Sequence, residues 1–78
     1  GGEMKDLLEY IIKAIVTEPD AVNITEENSD EGLLIKLEVA PDDKGRVIGR
    51  QGRVAQALRT LLRVKAAKED TRVRLEIV

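Results

Sequence analysis

The chain has 78 residues, 42% of them hydrophobic, enough for one small core and not for two domains. It has no cysteine and no histidine, which removes a disulfide framework, a thiolate metal site, the commonest general base and the commonest metal ligand. The net charge of −2 conceals a segregation: residues 1 to 43 carry twelve acidic and three basic side chains, net −9, and residues 44 to 78 carry ten basic and three acidic, net +7. A basic half of this kind suits a polyanion. No apolar run approaches the roughly 18 residues of a membrane span. No basic-then-apolar leader marks a signal peptide, so a cytoplasmic location is expected. Gly1, Gly2 and Glu3 stand before Met4 and read as an expression scar, leaving residues 4–78 as a single domain.

Leu8, Ile11, Ile12 and Ile15 share one helix face, which predicts an amphipathic helix over residues 4 to about 16. Pro19 and Asp20 end it. Residues 21 to about 26 form a short candidate strand with Val22 and Ile24 on one face, and the polar residues 27–32 read as a turn or exposed loop. Leu33, Ile35, Leu37 and Val39 alternate with Leu34, Lys36 and Glu38, the period of a half-buried strand. Pro41, Asp42 and Asp43 open a helical stretch, with carboxylates where a helix N-terminus favours them. Gly49 and Gly52 keep that helix short. A long helix restarts near Gly52 and runs to about Lys68. Residues 71–78, with Val73, Leu75 and Ile77 alternating with Arg72, Arg74 and Glu76, close the chain as a strand. The order is α-β-β-α-α-β, an α+β domain with a three-stranded sheet and helices on one face.

The densest local signal is the stretch Gly45-Arg46-Val47-Ile48-Gly49-Arg50-Gln51-Gly52-Arg53. Glycine has no Cβ, so the backbone at Gly49 and Gly52 can approach a sugar-phosphate chain closely. Gly52 precedes a long helix, whose first N–H groups and dipole favour an anion. Lys44, Arg46, Arg50 and Arg53 surround the turn with positive charge, and Gln51 projects from it. Val47 and Ile48 precede it and can enter the core or floor a groove under bases. The competing reading makes Gly49 a helix C-cap, Gly52 a hinge and the arginines a solvated rim. One turn can do both.

Val47-Ile48-Gly49-Arg50-Gln51-Gly52 resembles the V-I-G-x-x-G signature of KH domains, and the element order resembles their prokaryotic (type II) form. Pro19-Asp20-Ala21, the stretch from Gly45 to Arg53 and Ala57-Leu58-Arg59-Thr60 resemble KhpA, a family of small bacterial proteins made of one KH domain. That resemblance covers nearly the whole chain. It implies a binder of single-stranded RNA acting as an RNA chaperone or post-transcriptional regulator, without a cofactor. Self-association and a larger KH-containing partner of the KhpB type are implied as well. Ala55 departs from the pattern, since many KH domains place a larger aliphatic residue there. The scarcity of aromatics agrees with this class: the chain has one Tyr and no Phe or Trp. Domains that stack bases need aromatic platforms, whereas a KH domain clamps about four nucleotides by their backbone. Tyr10, on the first helix, is assigned to packing.

Enzymatic readings fare poorly. Gly45, Gly49 and Gly52 give G-x-x-x-G-x-x-G, not the dinucleotide fingerprint, and no G-K-[ST] ending makes a nucleoside-triphosphate loop. The stronger alternative is a protein-interaction module with little RNA affinity. On the long helix, Val54, Leu58 and Leu62 form a core stripe, Ala55 and Ala66 extend it, and Ala57, Leu61 and Val64 form an adjoining apolar edge. Gln56, Arg59, Thr60 and Arg63 lie opposite. The apolar arc spans about 200°, against the ~100° that covering one core requires. A two-fold contact between copies through Ala57, Leu61 and Val64 would cover the excess, and so would the first helix of the same chain.

Overall fold

Met4, Leu8 and Ile12 recur every four residues and are buried, which fixes the inward face of the first helix, α1 (Glu3–Ile15). In the computed structural model, which describes residues 3–78, α1 is followed by β1 (Asn23–Ser29), β2 (Gly32–Glu38), α2 (Lys44–Ile48), α3 (Arg53–Lys68) and β3 (Val73–Ile77). The α-β-β-α-α-β order is the expected one. β1 pairs antiparallel with β2, and β3 pairs parallel with β2 on its other side, so β2 is central. The parallel pair requires a crossover, which α2 and α3 supply.

Leu33, Ile35 and Leu37 point to the helices, and together with Ile24, Leu75, Val47, Leu58, Leu62 and Ala66 they form one core with α1. Full burial of each large aliphatic side chain contributes about 1.5–3 kcal/mol. The buried stripe of α3 consists of Ala55, Leu58, Leu62 and Ala66, with Val54 half-buried at its edge. The stripe is therefore rotated from Val54 toward the two alanines. Ala55 is buried, so the small residue sits where the helix comes close to its neighbours.

Three expectations are corrected. Ala21, expected to open the first strand, instead closes a 3-10 turn, Pro19–Ala21. β1 begins at Asn23 and continues through Glu27, Asn28 and Ser29, which pair with Leu34, Leu33 and Gly32. These polar residues were expected in a loop. Pairing with the apolar β2 overrides their weak strand preference, and their exposed side chains suit an edge strand. Tyr10 is 78% exposed and does not pack into the core. It lies two residues past Leu8, about 200° around the helix from the buried face. Of the three residues ahead of Met4, Gly1 and Gly2 lie outside the described residues. Glu3 opens α1 and pairs with Lys65 of α3 at 3.2 Å.

Candidate nucleic-acid interface

α2 is five residues long, too short to persist without tertiary support. Val47 holds it from within, with no solvent exposure, while Ile48 on the next position faces solvent. The helix ends at Gly49, whose N–H bonds the Gly45 carbonyl at 2.8 Å. Gly49 adopts φ +77°, and a Cβ there would lie 2.5 Å from Val54 Cγ2, so both conformation and space demand glycine. The chain then turns through Arg50 and Gln51, and Gln51 takes a left-handed φ of 56° that glycine would hold more easily. Gly52 at φ +74° enters α3. In contrast to Gly49, a Cβ on Gly52 would meet nothing within 4 Å. The turn is thus locked to α3 on one side and open on the other.

No side chain caps the start of α3; the turn itself takes up the leading N–H groups, Gly52 donating to the Gly49 carbonyl at 3.1 Å and Arg53 to the Arg50 carbonyl. Lys44, Arg46, Arg50, Gln51 and Arg53 are all exposed around the turn. Among the described residues, Lys44, Arg50 and Arg53 make no ion pair, and Arg53 Nη2 donates to Gln51 Oε1 at 3.3 Å. Arg46 Nε lies 3.7 Å from Asp43 Oδ1.

Asp43 is the exception among the carboxylates, since it has no solvent exposure. Its Oδ1 accepts from the Thr17 N–H and the Thr17 hydroxyl, both at 2.9 Å, and its Oδ2 accepts from the Glu18 N–H at 3.1 Å. The Thr17 N–H is the strongest influence holding its pKa below the ordinary Asp range. Burial opposes this, and the Thr17 hydroxyl, the Glu18 N–H and Arg46 add to it. A depressed pKa means that the carboxylate stabilises the fold above the unfolded Asp value, and that this contribution is lost as pH falls through the folded value.

α3 and β3 enclose a groove lined by Leu62, Val73, Leu75 and Ile77, with Arg59, Arg63, Arg74 and Glu76 at its walls. Sequence reasoning missed Arg59, Arg63 and Arg74 as site residues. The first two were placed on the solvent side of the helix, and nothing local shows that β3 lies beside them. Arg59 stands about 9 Å along the helix axis from Arg53, so positive charge continues from the turn into the groove. On the opposite flank of α3, Ala57, Leu61 and Val64 are exposed, Leu61 by 48% and Val64 by 55%. Within one chain, α1 does not cover that edge.

The family model described as "KhpA/KhpB, KH domain" matches residues 5–77. The chain belongs to the KhpA/KhpB KH-domain family. The α-β-β-α-α-β order is that of the type II KH domain. Among relatives, "RNA-binding protein KhpA" of Caldanaerobacter subterraneus subsp. tengcongensis is 49% identical over 75 residues, covering 96% of this chain and all of the relative. The protein of the same name from Listeria monocytogenes is 47% identical, covering 96% of this chain and 99% of the relative. That from Borreliella burgdorferi is 40% identical over 77 residues, covering 99% of this chain and 94% of the relative. These relatives are bacterial, and the family is one of RNA-binding proteins rather than enzymes. No solved structure matches. No helix among the described residues is long and apolar enough to cross a membrane.

Proposed function

We propose that this protein binds single-stranded RNA, with the phosphate backbone lying across the Gly49–Gly52 turn and the bases entering the groove between α3 and β3. The observation that carries this reading is the asymmetry of the turn. Gly49 is packed against Val54, while Gly52 faces open space at the uncapped start of a 16-residue helix. A phosphate brought there meets the positive end of the α3 helix dipole. Arg46, Arg50 and Arg53 supply charge beside it, and Lys44 adds to the same field. Val47 shapes the turn from inside the core, and Ile48 offers an exposed aliphatic contact. Arg59, Arg63 and Arg74 continue the positive surface along the groove. The name of the KhpA relatives supports the same ligand. A role as an RNA chaperone or post-transcriptional regulator, in the cytoplasm and without a cofactor, follows as part of this proposal.

A second activity is compatible with the first. The exposed Ala57, Leu61 and Val64 edge favours self-association of two copies through α3. The paired name of the family model supports a larger KH-containing protein of the KhpB type as a further partner.

The Arg50→Asp, Gln51→Asp double variant tests the binding site. Both side chains are exposed, so the fold should persist by circular dichroism, while two carboxylates repel the phosphates. Electrophoretic shift should show RNA affinity reduced at least about 100-fold, roughly 2.7 kcal/mol. Unchanged affinity in the folded variant would remove the turn from the binding site.

A further inference from the structure

We propose that Asp43 is a positioning residue for RNA binding: its buried carboxylate fixes α2, and through α2 the Gly49–Gly52 turn and Arg46, against the corner between α1 and β1. This rests on the reading of that turn as the RNA site.

Asp43 occupies the residue immediately before α2, where an Asp ordinarily caps its own helix. It makes no such cap. Its oxygens instead accept three hydrogen bonds from Thr17 and Glu18, 26 and 25 residues earlier in the chain. It is the one buried charged side chain among the described residues. Burying a carboxylate costs free energy unless donors surround it, and an apolar side chain could fill the same volume without that cost. What a carboxylate adds is direction.

The need for direction is specific to α2. The helix has five residues and one inward side chain of its own, Val47; Asp43, four positions earlier and just before the helix, is the second hold and lies on the same side. Val47 is held by apolar burial, which resists extraction but permits rotation and small slides. Asp43 is held by charge-assisted hydrogen bonds, which tolerate little change in distance or angle. Gly49 ends this helix with no room for a Cβ, which would lie 2.5 Å from Val54 Cγ2, so a slide of α2 is transmitted directly to the turn. Arg46 is one helical turn from Asp43. Its Nε leans toward the buried oxygen at 3.7 Å, while most of the side chain remains in solvent. One end of the guanidinium is thereby oriented, and its remaining donors are left for a ligand.

Removing the carboxylate should leave the apolar core in place and loosen the turn. Asp43→Asn keeps the size and puts an amide N–H2 where one oxygen accepted. The test compares the parent, Asp43→Asn and Thr17→Val, with Ile24→Val as a control that weakens packing within β1. The probe is a single-stranded RNA of about ten nucleotides, longer than the roughly four that a KH domain clamps. Affinity is measured where circular dichroism shows each protein folded, and amide hydrogen exchange is followed at Gly49 and Gly52, whose N–H groups are bonded at 2.8 and 3.1 Å. Asp43→Asn should lose about tenfold in affinity, the loss expected when the turn is competent about a tenth of the time. Its Gly49 and Gly52 amides should exchange faster while those of α1 and β2 keep the parent rate. Thr17→Val removes one donor and leaves the charge, so it should move both readouts the same way, affinity by about threefold, and it decides the matter if Asp43→Asn does not fold. The control should bind as the parent does. Parental affinity and parental turn exchange in the folded variants overturn the proposal, as does exchange that quickens evenly through α1 and the sheet. If the parent itself binds no RNA, the binding proposal fails, and the exchange comparison still decides whether Asp43 positions the turn.

Discussion

Arg59 and Arg63 stand on one flank of α3, and Ala57, Leu61 and Val64 stand on the other, with the buried stripe of Ala55, Leu58, Leu62 and Ala66 between them. The basic flank faces β3 across an open groove. The apolar flank faces solvent beside the Lys65–Glu3 pair. A helix of 16 residues thus carries three kinds of surface, each with its own physics. The stripe is governed by burial, the basic flank by long-range charge and the apolar flank by contact with another molecule. Substitutions on the three surfaces should therefore fail in three different ways.

The largest effect belongs to the stripe that supports both flanks. Leu58→Ala should cost about 2–5 kcal/mol of unfolding free energy, measured by urea titration. A loss below about 0.5 kcal/mol would place Leu58 at the surface and collapse the comparison. The apolar flank comes next. If two copies meet there, Leu61→Arg should convert a dimer into a folded monomer by light scattering at high micromolar concentration. A parent that is already monomeric, or a variant that unfolds, would contradict that use of the flank. The basic flank gives the smallest change per residue. Arg59→Ala and Arg63→Ala should each weaken RNA binding and make its salt dependence shallower by somewhat under one unit, with stability and oligomeric state unchanged. Variants that lower affinity without changing that dependence would mean that these arginines meet no phosphate.

The order of the six elements was legible because periods of two and 3.6 are written in Leu33–Ile35–Leu37 and in Leu8–Ile12. β1 was misplaced because Glu27, Asn28 and Ser29 look like a loop by composition, and only pairing with β2 makes them a strand. The turn was legible from its glycines. Their difference was not, because the side chain that excludes a Cβ from Gly49 is revealed only by three-dimensional packing. The groove arginines were missed for a similar reason. Arg59 and Arg74 are brought to one groove by the parallel pairing of β3 with β2, which no local pattern encodes. Asp43 looked like a helix-opening carboxylate, and its partners lie 25 and 26 residues away.

The central claim is that the basic half of the molecule, opened at Gly52, holds the phosphates of a single strand. Titration of the parent protein with a short single-stranded RNA over a series of salt concentrations tests it most directly. Contact with about three to four phosphates gives a slope of log affinity against log salt of roughly −2 to −3. A slope near zero, or no binding at low salt, would contradict the account.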